Sequence, residues 1–178
     1  EDLNETSYNW SARLCLNWAN VYRYLTFRPK QEECLEALLA HDYGTVVAPP
    51  GMGKTFLFSA IALVYPSARI HIITDSIDIQ MRIYRELTRY IPNVGLVNGS
   101  SNRFNRVTVI SADSLHKVDF SDRCSNHGAD IVLGDEGHRL MAPTYSEKLG
   151  HYRLARMYTF TATPTGRFDG ADAKMESL

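Results

Sequence analysis

The stretch Ala48-Pro49-Pro50-Gly51-Met52-Gly53-Lys54-Thr55, set between the apolar runs Thr45-Val46-Val47 and Phe56 to Val64, decides the fold. The first run reads as a strand and the second as a helix, so the segment is a strand-loop-helix unit. Gly51 and Gly53 let the backbone turn tightly and aim successive N–H groups at phosphate oxygens, and the following helix adds the positive end of its dipole. Lys54 is expected to hold the β- and γ-phosphates of a nucleotide. Thr55 would offer its hydroxyl to Mg²⁺, a small hard ion that needs only one or two protein oxygens. Position 48 is Ala where the general pattern has Gly. Gly-x-Gly-Lys-Thr arises by chance in a chain this long with a probability below about one in a hundred, which sets aside the reading as a flexible loop. Pro50, Gly51, Met52, Gly53, Lys54, Thr55 and Phe56 are therefore the expected phosphate-binding residues.

A second segment, Ile131-Val132-Leu133-Gly134-Asp135-Glu136-Gly137-His138, supplies the acidic half of such a site. Its apolar run reads as a buried strand that delivers Asp135 and Glu136 at its C-terminal end, where open parallel sheets place their ligands. Asp135 is expected to hold Mg²⁺ through water, and Glu136 to orient and deprotonate an attacking water. An Asp-Glu pair by itself is a common solvated turn; beside a phosphate loop it becomes the other half of an ATP-Mg²⁺ centre.

Composition sets the outer limits. A chain of 178 residues with 44% hydrophobic content is about one domain long and can bury a real core. Cys15, Cys34 and Cys124 are odd in number and share no metal-ligand spacing, so packing roles in a reduced, intracellular setting are expected rather than a disulfide framework. The apolar run Phe56 to Tyr65 is too short to span a bilayer, and the acidic start Glu1-Asp2-Leu3-Asn4-Glu5 is unlike a basic signal sequence. A net charge of −1 gives no general attraction to nucleic acid, so any such contact must come from a local surface.

Strand-like runs occur at Thr45 to Ala48, Ile70 to Thr74, Val94 to Val97, Val107 to Ser111, Ile131 to Gly134 and Met157 to Thr161, with helix-like stretches between several of them. This alternation predicts an α/β fold, a mostly parallel sheet with helices on both faces. Lys30 to His41 follows Pro29, a good first-turn residue, and Cys34, Leu35, Leu38 and Leu39 share one face. Ser76 is expected to cap a helix running to about Ile91, with Ile77, Met81, Tyr84 and Leu87 or Thr88 as its apolar stripe and Pro92 as its stop. Residues 1 to 26 carry no readable chemical motif and are expected to be a packing extension or the tail of an upstream domain.

Asp135-Glu136-Gly137-His138 after one hydrophobic strand and Thr161-Ala162-Thr163-Pro164 after another resemble the Asp-Glu-x-His and Thr-Ala-Thr-Pro motifs of superfamily 2 helicases. Phe27-Arg28-Pro29-Lys30-Gln31 resembles the family's Arg-Pro-x-Gln segment, which makes Gln31, with Arg28, the implied adenine reader. A side-chain amide both accepts from and donates to adenine's edge, a physical reason for ATP over GTP. Ile73 to Gln80 is similar to the next helicase motif, with Gln80 in the place of its usual Gln, although the family's common Pro is absent. Val109 to Leu115 resembles the segment whose hydroxyls and backbone touch nucleic-acid phosphates, which implies such contacts for Gln80, Ser111 and Ser114. Arg82, Arg103, Arg106 and Lys117 could extend that face. Arg167-Phe168-Asp169-Gly170 resembles the tail found in the branch that contains phage recombination helicases, branch-migration helicases and restriction motors.

The resemblance covers roughly residues 27 to 178 and implies a RecA-like P-loop domain, the first of two, with ATP and Mg²⁺ as cofactors. Nucleic acid, DNA rather than RNA, is the implied partner, together with a second RecA-like domain that this chain does not contain. His138, Thr161 and Thr163 are implied to couple the γ-phosphate site to the nucleic-acid side. In this family the second domain supplies arginine fingers, worth about 10³ to 10⁵ in rate, so slow turnover is expected of this piece. The implied function is an ATP-dependent DNA helicase or translocase; a duplex-DNA motor of a restriction or remodelling complex, and an ATP-gated clamp with little turnover, are the alternatives.

Overall fold

Apolar residues alternate between the two faces of each central strand, and both faces are buried, so the strands must lie in a sheet covered on each side. In the computed structural model, which describes residues 13–48, 53–121, 128–136, 143–152 and 155–162, the strands are β1 (Tyr43–Val47), β2 (Ile70–Thr74), β3 (Gly95–Val97), β4 (Asn102–Arg103), β5 (Val107–Ser111), β6 (Ile131–Asp135) and β7 (Arg156–Thr161). Their order is β1-β7-β6-β2-β5-β3-β4. All neighbours are parallel except the short β4, which turns back against β3. The helices are α1 (Trp18–Tyr24), α2 (Pro29–Leu39), α3 (Lys54–Val64), α4 (Ile77–Thr88) and α5 (Pro143–Leu149), with a 3₁₀ helix at Ala112–Lys117.

Ile131 and Leu133 join one core with Ile70, Ile72, Val107 and Val109, and this core holds the inner faces of α2, α3 and α4. Val132 points the other way, into a smaller core with Ile73, Ile110, Leu115 and Leu149 under the 3₁₀ helix and α5. This is the two-residue period of a strand read out on both faces of one sheet. The mostly parallel α/β layering expected from the alternation is present.

Helix α3 is mostly apolar after its first turn, and Leu57 to Val64 are buried without a break. A helix end enclosed in this way needs partners for its last carbonyls. Asn17 donates its backbone N–H to Val64 (2.7 Å), Asn20 its amide to Leu63 (2.7 Å), and Arg106 its guanidinium to Ala62, Tyr65 and Ala68 (3.2, 2.9 and 3.0 Å). Val21 and Leu25 enter the main core. Arg13 pairs with the fully buried Asp130, just ahead of β6, at 3.0 Å. The described part of the N-terminal segment, residues 13–26, thus packs against this domain.

Three expectations need correction. Ser76 occupies the N-cap position of α4, but its hydroxyl makes no capping bond. The buried face of α4 runs through Gln80, Ile83 and Leu87, whereas Ile77 is half exposed. A stripe drawn from apolar residues alone was out of phase because Gln80, a polar residue, belongs to the core side. Among the cysteines, Cys34 is enclosed, and burial pushes its thiol up to about 11. Cys15 is exposed, against the packing role read for it, and Cys124 lies outside the described residues. No helix among the described residues is long and apolar enough to cross a membrane.

Candidate nucleotide site

The C-terminal ends of the strands line up along one edge of the sheet. Register places Val47 opposite Thr161, Asp135 opposite Phe160, and Ile73 opposite Gly134. The first strand and the acid-bearing strand are separated only by β7, which brings the segment after β1 within a lysine's length of the end of β6.

Gly53 is the N-cap of α3 with φ 83° and ψ 60°, a left-handed conformation that glycine adopts without penalty. Space demands glycine as well, since a Cβ there would stand 3.1 Å from Gln31 Nε2 and 3.3 Å from Phe56 Cβ. Lys54 is the first residue of α3. Its ammonium lies 2.8 Å from Asp135 Oδ1 and 3.0 Å from Glu136 Oε1. Asp135 is 2% exposed and Lys54 25%, so the pair is largely shielded from water. Burial alone pulls the Lys54 pKa down, but the hydrogen bonds and charges of Asp135 and Glu136 together outweigh it and hold it above the usual lysine value. Glu136 has φ 54°, uncommon for a residue with a side chain. The turn at the end of β6 therefore holds two consecutive carboxylates against one ammonium.

The segment before α2 closes on the same loop. Gln31, 3% exposed, accepts the Arg28 N–H at 3.0 Å through Oε1, while its Nε2 faces Gly53. Arg28 Nη2 comes within 3.7 Å of the same point. Phe56 meets Phe27 edge-on, with ring centroids 5.5 Å apart. The implied adenine reader and the implied phosphate loop are thus neighbours. Phe27, given no role from sequence, packs on Phe56 beside them; its place directly ahead of Arg28 was the available signal.

Thr161 sits between the two halves. It is fully buried, and its carbonyl accepts the Ala48 N–H at 2.8 Å, tying the end of β7 to the residue that follows β1. Thr45 and Thr159 make a second tie across the same strands at 2.9 Å. Thr55 is half-buried in the first turn of α3. Pro50, Gly51 and Met52, together with His138 and Thr163, lie outside the described residues.

Expected contacts to nucleic acid fare unevenly. Gln80 is fully buried, and its amide is consumed by the Val97 and Val109 carbonyls and by Asn98, so it has no surface to offer a ligand. Ser111 and Ser114 stand at the strand-end edge but are 6% and 4% exposed. Arg106 precedes β5, at the opposite edge from Lys54 and Asp135, and is committed to carbonyls at and just after the end of α3. Arg103 donates to the Tyr84 hydroxyl at 2.8 Å and lies over its ring. The basic residues read from sequence as one face do not form one.

A family model described as "Type III restriction enzyme, res subunit" matches residues 24–166. No curated protein shows significant sequence similarity to the chain. Among solved structures, the crystal structure of the UvsW helicase from bacteriophage T4 superposes with a TM-score of 0.67 at 11% identity, over 78% of this chain and 53% of that one. That likeness speaks for the fold, and the chain spans about half the length of the helicase it matches. With phosphate-loop lysine, acid pair and parallel sheet in this arrangement, the chain belongs to the family of the type III restriction enzyme res subunit and is a RecA-like domain of the superfamily 2 helicase type.

Proposed function

We propose that this domain binds ATP with Mg²⁺ and acts as one half of a motor that hydrolyses ATP to move along DNA. The single observation that carries the reading is the Lys54 ammonium held between Asp135 and Glu136 at the strand-end edge. Lys54 already sits where a negative charge is neutralised, at the positive end of α3, and exchanging a carboxylate for a phosphate oxygen needs only a side-chain rotation. The available oxygens, the Asp135 carboxylate and the Thr55 hydroxyl, are hard donors and few, which fits Mg²⁺. Bound there, ATP-Mg²⁺ would supply the transferable phosphoryl group and the charge that offsets its oxygens.

Glu136 then has the role left by elimination among the two acids. Its carboxylate is 22% exposed, against 2% for Asp135, so it is the one that reaches water. We assign it the orientation and deprotonation of the attacking water. Gln31 and Arg28 flank the base end, with Phe27 and Phe56 as an apolar wall. Thr161, joined to the phosphate loop through Ala48, is placed to pass a change at the γ-phosphate into β7, with His138 and Thr163 as its companions. A second RecA-like domain completes the site with arginine fingers, and this domain alone turns over slowly.

The test is Glu136→Gln in the protein at its natural full length. ATP binding is expected to persist while DNA-dependent hydrolysis falls by about 10² to 10⁴. Hydrolysis unchanged by the substitution would refute the assignment. A second reading, a motor that travels on duplex DNA without separating strands, is favoured by the restriction-enzyme description of the matching family. Strand displacement and triplex displacement by the same preparation distinguish the two.

A further inference from the structure

We propose that the cavity at the strand-start edge of the sheet is a second binding site, for a small organic anion whose carboxylate or phosphate meets His71 and whose apolar body lies on Phe104. The cavity holds about 520 Å³, within the range of sites for small molecules. Arg69, Asn105 and Gly128 line it shortly ahead of β2, β5 and β6, so it belongs to the ends of the strands away from Lys54 and Asp135. Val118 and Asp119, which follow the 3₁₀ helix, close another side.

His71 carries the inference. Its ring lines the cavity although the residue is only 4% exposed. Nδ1 lies 2.8 Å from the Tyr152 hydroxyl, and neither group has another partner among the described residues. Gly128, at φ 124°, passes so close over the Tyr152 ring that a Cβ would stand 2.9 Å from Cε1, which holds the phenol in place. Burial pushes the phenol pKa up, so the hydroxyl keeps its proton. A buried hydroxyl hydrogen needs an acceptor, and Nδ1 is the one within reach. Tyr152 therefore donates, and the neutral imidazole carries its own hydrogen on Nε2.

That Nε2 has no partner among the described residues, yet it is not sealed in, since Arg156 Nε is the one fully enclosed side-chain nitrogen or oxygen among them that lacks a hydrogen bond. An N–H donor thus faces the cavity from its floor and asks for an acceptor. The surrounding charge says which kind. Arg69, Arg106 and Lys117 line the cavity against a single acid, Asp119, whose Oδ1 already accepts the Ser121 N–H and hydroxyl at 3.0 and 2.6 Å. The Arg69 charge reaches the imidazole, where it adds to burial in lowering the His71 pKa. In that field an anionic acceptor gains more than a neutral one. Phe104 supplies the other half of the site. It is 38% exposed, and its ring stands 5.8 Å from that of His71 at 47°, an apolar wall that the protein core leaves uncovered. A bare inorganic ion would touch neither this wall nor most of the volume, so the anion is an organic one.

The experiment titrates the natural full-length protein with benzoate, phenyl phosphate and the neutral benzamide, following the His71 ring nitrogens by NMR and binding by calorimetry. The free protein is expected to show Nε2 protonated and Nδ1 bare. Benzoate or phenyl phosphate is expected to shift the Nε2 signal and to bind about tenfold more tightly than benzamide, and the better of the two identifies the head group as carboxylate or phosphate. Phe104→Ala, at an exposed position that the fold tolerates, is expected to weaken the binding about tenfold. Lys54→Met is expected to leave it within about twofold, which separates this cavity from the Lys54 site. His71 protonated on Nδ1 in the free protein overturns the proposal. So does failure of both anions to bind at millimolar concentration, or anion binding that Phe104→Ala leaves unchanged or that Lys54→Met abolishes.

Discussion

Lys54 and Asp135, far apart in the chain, meet at 2.8 Å, and Glu136 closes on the same ammonium at 3.0 Å. The ammonium is therefore already paired within the site, where the two carboxylates leave one net negative charge. Lys54→Met removes the cation and leaves a nearly enclosed carboxylate beside a second one. Because the lysine is a quarter exposed, the loss is expected to be moderate, about 1–3 kcal/mol of unfolding free energy. Adding Asp135→Asn to Lys54→Met should restore most of it. A double-mutant cycle in urea checks this, and strictly additive effects would show that the two groups do not interact.

On the proposed ATP-binding reading, the same acid pair makes nucleotide binding depend on the metal. Without Mg²⁺ a triphosphate has to approach two carboxylates, and removing one like charge at close range is worth about 1–2 kcal/mol at the effective dielectric of a partly shielded site. Asp135→Asn is accordingly expected to bind metal-free ATP about tenfold more tightly than the parent and to gain little when Mg²⁺ is added. Titration of a fluorescent ATP analogue with and without chelator measures both quantities. A parent and variant with the same response to Mg²⁺ would remove Asp135 from the metal site.

How much of this was legible beforehand depends on how local each signal is. Runs such as Ile70 to Thr74 and Val107 to Ser111 became strands with those bounds, because a strand buried on both faces is mostly apolar, here with only His71, Thr74, Thr108 and Ser111 polar. The meeting of Lys54 with Asp135 and Glu136 was readable because each partner sits in a short segment of adjacent residues after a strand. The two-residue β4 left no periodic trace, and α1 could not be separated from an unstructured extension without knowing that Asn17 and Asn20 meet the end of α3. Gln80 was misread for a related reason. A motif likeness put it at the ligand surface, yet only its distances to Val97, Val109 and Asn98 reveal an inward role. Arg106 likewise looked like a phosphate contact until three carbonyls were found around it.

Arg106 yields a prediction that separates capping from nucleic-acid contact. Its guanidinium is largely buried, burial lowers its pKa, and it satisfies the carbonyls of Ala62, Tyr65 and Ala68. Arg106→Ala takes this donor from all three, leaving Tyr65 only the Ala68 N–H at 3.3 Å, and is expected to cost about 1–3 kcal/mol of stability. The slope of log affinity for DNA against log salt should stay the same, because no phosphate contact has been lost. A slope shallower by about one, with stability unchanged, would return Arg106 to the nucleic-acid face.

His71 supplies a pH dependence of known sign. It is 4% exposed, its Nδ1 lies 2.8 Å from the Tyr152 hydroxyl, and Phe104 and Tyr152 pack against its ring. Burial, with a smaller contribution from the Arg69 charge, lowers its pKa from 6.5 to about 3. The folded state thus binds the proton more weakly than the unfolded chain. The neutral ring's contribution to stability is complete above pH 6.5 and is lost as pH falls toward 3, at about 1.4 kcal/mol per unit once the unfolded histidine is protonated. Between pH 7.5 and 5 carboxylates of ordinary pKa remain ionised, so urea midpoints in that window isolate the effect. His71→Gln is expected to be less stable than the parent at pH 7.5 but to lose less between pH 6.5 and 5, narrowing the gap. Curves for the two proteins that run parallel through this window would show that His71 is protonated as readily in the folded state as in the unfolded one.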